Sequence, residues 1–356
     1  MRQKWFFRLS LFSCVFAVVV VMLGAWTRLV DAGLGCPDWP GCYGFLTVPQ
    51  TPEQIAIAEA RFPEAPVEVE KGWPEMIHRY FASTLGLLII GLTVLAIKSR
   101  RETESAQLPV GHSVGLLVLV VCQGLFGMWT VTLKLWPQVV SAHLLGGFAT
   151  LSLLFLLVQR QRHNSPLSDV GLSTQIGSAK RWVSLGLGLV VAQIFLGAWT
   201  AANYAALACG DSFPTCQGQW WPDMDMGGGF NFTQTIGPNY LGGLFDNESR
   251  VAIQMVHRIG ALVLTAYLVG LYLWLNRRTA SSVLRGAANT MLGILVLQLV
   301  LGISNVIWLV PLEIAVAHNA VGAMLLLAMV NLRFHLQRVP YNKNREVAHE
   351  STQPAV

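Results

Sequence analysis

The residues able to do chemistry in this chain form two matched sets. The first is Glu75-Met76-Ile77-His78-Arg79, followed by His143 in Ser141-Ala142-His143-Leu144. The second is Gln254-Met255-Val256-His257-Arg258, followed by His318 in Val316-Ala317-His318-Asn319. Neutral imidazole is a ligand for iron, copper and zinc. Two imidazoles on facing helices can hold the iron of a flat macrocycle between them. Glu75 stands three residues before His78, so both project from nearly the same helix face about one turn apart. A carboxylate there can take up a proton or stabilise positive charge developing on a substrate carbon; the plainer reading is a carboxylate solvating a helix start after Pro74. The second set has Gln254 at that position, which cannot ionise. Proton chemistry is therefore expected in the first set, and ligation without it in the second. Arg79 and Arg258 follow the first His of each set, where a guanidinium suits an anionic edge of the macrocycle or snorkels to the membrane surface.

The elements that position these residues are membrane spans. Of the 356 residues, 53% are hydrophobic and 12% charged, against about 25% charged in an average globular domain. Mean hydropathy is +0.51. Eight apolar runs, near 9–30, 76–97, 110–132, 137–158, 181–203, 250–274, 285–308 and 311–334, each approach the length needed to cross a hydrocarbon core. The first is read as a retained span, not a cleaved leader, because its end, Gly24-Ala25-Trp26-Thr27, recurs as Gly197-Ala198-Trp199-Thr200. Of 24 Lys and Arg, seven (Arg28, Arg61, Lys71, Arg79, Lys134, Arg250, Arg258) lie on one side and the other seventeen on the opposite side. The positive-inside rule then puts both termini in the cytoplasm and the loops 31–75 and 204–249 outside. The net charge of +5 thus reports orientation and not nucleic-acid binding.

The two halves repeat. Gln123 and Gln298, Gly127 and Gly302, and His143 and His318 are each 175 apart; Gly24 and Gly197 are 173 apart, and His78 and His257 are 179 apart. The expected fold is all-α: a polytopic membrane protein of eight transmembrane helices, arranged as two pseudo-symmetric four-helix bundles. Residues 1–160 form the first bundle, 161–180 a cytoplasmic linker, 181–340 the second bundle and 341–356 a cytoplasmic tail. His78, His143, His257 and His318 then all lie near the outer surface, one or two turns into their helices. Ionisable residues within spans usually mark function. Two bound hemes, one per half, are the expectation, with Gly86, Gly146, Gly147, Gly260 and Gly322 making room for a macrocycle. No Cys-x-x-Cys-His occurs, which excludes covalent c-type attachment. His112, His163, His335 and His349 fall at cytoplasmic ends or in the tail, where solvated or interfacial roles are expected.

Four cysteines lie in the outer loops, in Cys36-Pro37-Asp38-Trp39-Pro40-Gly41-Cys42 and in Cys209-Gly210-Asp211-Ser212-Phe213-Pro214-Thr215-Cys216. Of the three possible pairings, the repeat favours Cys36–Cys42 and Cys209–Cys216. Each is either a structural staple or a labile pair that relays electrons. Cys14 and Cys122 are expected as packing residues in apolar helices, and Trp26, Trp39 and Trp199 as members of the interfacial aromatic belt. Residues 45–72 and 217–249 read as caps over the bundle openings, with a short amphipathic helix near 53–62.

Together, Gly33-Leu34-Gly35-Cys36-Pro37-Asp38-Trp39-Pro40-Gly41-Cys42, Glu75-x-x-His78-Arg79, His143, His257-Arg258 and His318 resemble the heme A synthases. The resemblance runs from Gly24 to Asn319. It implies an inner-membrane oxidoreductase that converts heme O to heme A by oxidising the C8 methyl of the porphyrin to a formyl group. It assigns His257 and His318, with Arg258, to a bound heme b as cofactor. It assigns His78 and His143, with Arg79, to the substrate heme. Glu75 matches the catalytic carboxylate, and Cys36 and Cys42 match the functional loop cysteines. Heme O synthase and the assembly of a terminal oxidase are natural partners, no nucleic acid is expected, and self-association stays open. The alternative is a di-heme b-type membrane electron carrier without substrate chemistry. That reading expects hemes near both membrane faces, whereas all four His are placed near one. A metal transporter would carry polar residues through the bilayer midplane, and few are present.

Overall fold

The structure is a computed structural model, and residues 2–102, 108–163, 165–169, 171–172 and 175–340 are described. The expected tail, including His349, lies outside these residues, as do parts of the linker. Among the described residues the fold is helical with no β-strand, and eight helices are long and apolar enough to cross a membrane.

Four helices make up the first half: α1 (Arg2–Leu29), α3 (Val69–Glu102), α4 (Val110–Thr132) and α5 (Pro137–Arg162). The second half has α6 (Ile176–Ala202), α8 (Asn247–Arg278), α9 (Ser282–Ile307) and α10 (Leu312–Gln337). Two shorter helices, α2 (Pro52–Arg61) and α7 (Met226–Gly229), belong to the long loops. α2 is the short helix expected near 53–62, closed by a capping box between Thr51 and Gln54 and by Pro52 in its first turn. Several helices outrun the apolar segments read from the sequence. α3 begins at Val69 and α8 at Asn247 because polar residues extend each helix past its membrane-spanning part. Asp246 caps α8 by accepting the Ser249 amide at 2.8 Å.

The packing order is the same in both halves. α1, α3, α4 and α5 form a closed ring of neighbours, as do α6, α8, α9 and α10. α5 packs on α6, α1 on α10 and α5 on α10, which joins the halves. Within each ring the diagonal helices, α3 with α5 and α8 with α10, do not pack against each other among the described residues. Those diagonal helices carry the paired histidines.

The main hydrophobic core fills the end of the bundle away from the long loops, around Phe6, Leu92, Leu154, Leu268 and Leu332. At the loop end, separate small cores cover each half: Cys36, Cys42, Tyr43 and Val48 pack on Met76, and Cys209 and Cys216 pack on Val251 and Met255. Both disulfides, Cys36–Cys42 and Cys209–Cys216, are formed. Each second cysteine opens a two-residue turn with positive φ at both central residues, Tyr43-Gly44 (54° and 79°) and Gln217-Gly218 (51° and 77°). This is the hairpin geometry that glycine permits. Isolated bridges Cys42–Phe45 and Cys216–Gln219 close the turns.

The loop of the second half also reaches over the first. Trp136 Nε1 donates to the Gln234 carbonyl at 3.1 Å, Gln138 Nε2 to Phe232 at 3.1 Å, and the Tyr240 amide to Lys134 at 3.0 Å. The expectation of one cap per bundle is corrected to that extent. Arg28, at the end of α1, crosses the other way: Nη2 donates to the Ala201 carbonyl at 2.6 Å and the guanidinium lies 4.0 Å above the Tyr204 ring.

Three sequence expectations are corrected by burial. Trp199 is fully buried, donating to the Gly229 carbonyl at 2.9 Å and packing on Phe195 and Phe232, so loop folding over α6 removes it from any interfacial belt. Cys122 is exposed on the outside of α4 and does not pack, whereas Cys14 is buried as expected. His335 is buried, with Nδ1 2.9 Å from Arg338 Nη1 and its ring 5.5 Å from that of His163, because α10 lies between both halves.

Candidate functional site

All four histidines lie toward the loop end of their helices. α5 and α10 each begin after a tight turn with two consecutive left-handed residues, Lys134-Leu135 and Leu309-Val310. His143 and His318 each follow six positions after the first helical residue, Pro137 and Leu312. His78 and His257 project from the diagonal partners, α3 and α8.

In the first half the His78 and His143 ring centres are 6.5 Å apart, with an interplanar angle of 85°. Two imidazoles on opposite sides of one metal ion, each nitrogen about 2.0–2.1 Å away, have ring centres roughly 6 Å apart. Nδ1 of both rings is buried without a hydrogen-bond partner. Among the described residues no group of three or more His, Cys, Asp or Glu could hold a metal. A site that supplies only two axial ligands fits a metal arriving with its own equatorial ligands, as in a porphyrin.

The room for each imidazole comes from a glycine on the neighbouring helix. A Cβ at Gly24 would lie 2.9 Å from His78 Cε1, at Gly302 3.0 Å from His318, at Gly197 3.2 Å from His257 and at Gly127 3.5 Å from His143. These four glycines were visible in the sequence as repeat markers, and the structure brings each against a histidine. Of the five glycines expected to make room for a macrocycle, three lie against side chains. Gly146, Gly260 and Gly322 instead admit the side chains of Gln123, Gln193 and Gln298, while Gly86 and Gly147 face open space.

Two of those glutamines touch the second-half histidines. Gln193 Nε2 lies 3.0 Å from His257 Nδ1 and donates to the His257 carbonyl at 2.9 Å; Gln298 Nε2 lies 3.3 Å from His318 Nε2. Sequence reasoning missed both as site residues. The signal for Gln298 was its 175-residue offset from Gln123. Gln193 breaks the repeat, because the residue 173 positions earlier is Val20.

The acidic position separates the halves further. Glu75 is buried. Its Oε2 accepts the Cys36 amide at 2.9 Å and its Oε1 pairs with Arg79 Nη2 at 2.5 Å. Arg79 Nη1 donates to the Asp38 carbonyl at 3.0 Å, to Pro40 at 3.3 Å and to Gly41. Glu75 and Arg79 therefore clamp the first cysteine loop onto α3. The same loop is tied internally by Asp38, which accepts the Tyr43 and Gly44 amides at 2.6 and 2.7 Å. Burial first, and nearby carboxylates second, push the Tyr43 phenol above its ordinary value, keeping it a neutral donor to the Pro66 carbonyl at 2.9 Å. In the second half Arg258 Nη1 grips its loop equivalently, donating to Ser212 at 3.1 Å and Thr215 at 2.8 Å. With Gln254 in place of a carboxylate, Arg258 Nε and Nη2 are buried without partners, as is Gln254 Oε1. Buried unpaired guanidinium donors are costly unless something anionic meets them.

Fold and site together define a polytopic helical membrane protein with two pairs of half-buried histidines, each pair on the diagonal helices of a four-helix ring. Residues 7–330 match the COX15-CtaA family model, described as cytochrome oxidase assembly protein, and the chain belongs to that family. It is 41% identical over 336 residues to the heme A synthase of Shewanella oneidensis, covering 94% of this chain and 97% of that one. It is 30% identical to the heme A synthase of Allorhizobium ampelinum, covering 92% and 89%, and 28% identical to that of Paracoccus denitrificans, covering 92% and 86%.

Proposed function

We propose that this protein is a heme A synthase. It oxidises a methyl group of heme O, the C8 methyl, to the formyl group of heme A, with the substrate in the first half and a b-type heme resident in the second. When bound, that resident heme supplies a one-electron redox centre. Family membership supports the activity, and the difference between the halves carries the division of labour. One half has a buried carboxylate beside its histidine pair. The other has unpaired buried donors and no ionisable acid.

His78 and His143 bind the substrate iron from both sides and fix the macrocycle between α3 and α5. Gly24 and Gly127 let the two imidazoles stand where they do. Glu75 accepts a proton as the methyl is oxidised. The Cys36 amide and Arg79 fix the orientation of its two oxygens. The small core under Tyr43, Val48 and Met76 keeps water from that carboxylate. In the second half His257 and His318 would hold the cofactor, Gln193 and Gln298 would orient the imidazoles, and Arg258 Nε and Nη2 would be free to meet an anionic group on it. The termini face the cytoplasm, and both sites lie toward the outer side of the inner membrane. An enzyme making heme O and a terminal oxidase receiving heme A are the natural partners.

Glu75→Gln tests this reading. The variant is expected to bind heme at both sites yet form no formyl-heme when heme O is supplied, as read by extraction and chromatography of the hemes. Wild-type accumulation of heme A would remove Glu75 from the chemistry. Retention of b-type heme alone by the wild-type protein, with heme O supplied, would favour a di-heme electron carrier.

A further inference from the structure

A groove opens on the surface of the second half. It lies between α6 and α8, has a volume of about 320 Å³, and is lined by Trp182, Ala266, Tyr267, Gly270, Leu271 and Trp274. Nothing approaches within 4 Å of where a Cβ on Gly270 would stand, so the floor is open. Applying the repeat offsets of 173 for α6 and 179 for α8, the first-half counterparts of Trp182, Tyr267, Gly270 and Trp274 are Leu9, Leu88, Gly91 and Leu95. There Leu9 comes within 3.7 Å of the Gly91 Cβ position, as ordinary packing would have it. The second half has replaced three leucines by three aromatic residues and kept the glycine, which opens a furrow where the first half is filled.

The furrow runs toward a cationic rim. Arg278 lies 4.8 Å over the Trp274 ring, and Arg277, Arg278 and Arg181 are all exposed. The nearby acid, Asp169, is buried and already committed to Thr279 and to the Ala280 amide, so it does not neutralise the rim. Gly270 and Arg278 are eight residues apart on α8, about 12 Å along a helix. That spacing puts an apolar slot one acyl-chain segment below the Arg278 guanidinium, and Arg181 adjoins Trp182 in sequence on the opposite wall. Tyr267 anchors one wall by donating to the Trp182 carbonyl at 2.7 Å. The groove lies on an exposed face of two helices long and apolar enough to cross a membrane, with Trp182 49% exposed.

We propose that this groove is a specific site for one anionic phospholipid. An acyl chain lies across Gly270 between Trp182 and Trp274, and the phosphate is held by Arg181 and Arg278. Guanidinium groups match phosphate oxygens with paired N–H donors, and aromatic side chains give a chain rigid contact area at small entropic cost.

The test uses full-length protein, delipidated in detergent and titrated with phosphatidylglycerol or phosphatidylcholine of identical chains, with bound lipid counted by native mass spectrometry. Wild type should retain one phosphatidylglycerol at least tenfold more tightly than phosphatidylcholine. Gly270→Leu, whose side chain enters open space, should abolish that retention without lowering the unfolding temperature, because leucine is the better helix former. Arg181→Gln with Arg278→Gln should remove the headgroup preference at least tenfold without touching the apolar walls. Equal retention of the two lipids by wild type would overturn the proposal, as would wild-type phosphatidylglycerol retention in Gly270→Leu. The wild-type comparison decides the matter even if a variant folds poorly.

Discussion

Replacing each histidine-facing glycine by alanine should produce a graded series. Ordinary van der Waals contact begins near 3.4 Å, so a methyl group falls short by 0.5 Å at Gly24 (3.4 − 2.9), 0.4 Å at Gly302 (3.4 − 3.0) and 0.2 Å at Gly197 (3.4 − 3.2), and fits at Gly127 (3.5 Å). Two terms then compete. Glycine in a helix interior is about 0.8–1.0 kcal/mol less favourable than alanine. Overpacking costs typically about 1–3 kcal/mol, and more when the neighbour cannot move. An imidazole held by a metal is such a neighbour. Gly127→Ala should therefore raise thermal stability by up to about 1 kcal/mol and leave heme content intact. Gly24→Ala should lose the substrate heme by roughly 5- to 150-fold in affinity, the equivalent of the overpacking cost. Gly302→Ala should do the same to the resident heme, and Gly197→Ala should fall between. Heme occupancy by absorbance titration, beside thermal unfolding of the heme-free protein, separates the ligand effect from the helix effect. If Gly127→Ala loses as much heme as Gly24→Ala, or if all four variants bind like wild type, then the glycines do not position the imidazoles and the assigned geometry is wrong.

Two further perturbations address the cysteine loops and the arginines. Gln254→Glu would place a carboxylate beside the free Nε and Nη2 of Arg258, copying the Glu75–Arg79 pair; hydrogen bonds to charged groups contribute about 1.5–3 kcal/mol each. The resident heme should bind about 10- to 100-fold more weakly in a heme titration, and unchanged affinity would exclude Arg258 as an anchor. Cys36→Ser with Cys42→Ser removes a crosslink of six residues' separation, worth about 2 kcal/mol to a loop of that size. Because Arg79, Asp38 and the Glu75–Cys36 contact still hold the loop, the variant should fold, bind heme and differ mainly in faster proteolysis within 36–48. Loss of heme from the first half would show that the disulfide itself maintains the site.

The parts of this molecule legible in its sequence are those governed by periodic burial. Long apolar runs gave the eight helices because a backbone crossing lipid must satisfy its own hydrogen bonds. The offset of about 175 residues marked the paired histidines, since repeating a packing solution repeats the residues that make it. What stayed hidden depends on which side chain meets which across helices. Trp199 reads as an interfacial residue until the loop carrying Phe230 and Phe232 folds over it. Gly146 and Gly260 read as space for a macrocycle, although a glutamine from the next helix occupies that space. His335 reads as solvated because its position near a helix end gives no hint that α10 lies between both halves.

The same distinction explains why departures from the repeat are more informative than the repeat. A matched residue is explained by the shared architecture; an unmatched one needs a reason specific to its half. Glu75 against Gln254 gives one arginine a carboxylate partner and leaves the other with two unpaired buried donors. Val20 against Gln193 gives His78 no side-chain amide and brings one to His257 Nδ1. Both differences favour the same assignment. On the proposed assignment, the second half would bind its ligand through more polar contacts and keep it, as a resident cofactor requires. The first half, with its charges tied up, would hold its ligand through the two imidazoles, so product could leave. A half that gripped heme A with a free buried arginine and an orienting glutamine would bind product as tightly as substrate and turn over slowly. The asymmetry is therefore expected of an enzyme whose substrate and cofactor are nearly the same molecule.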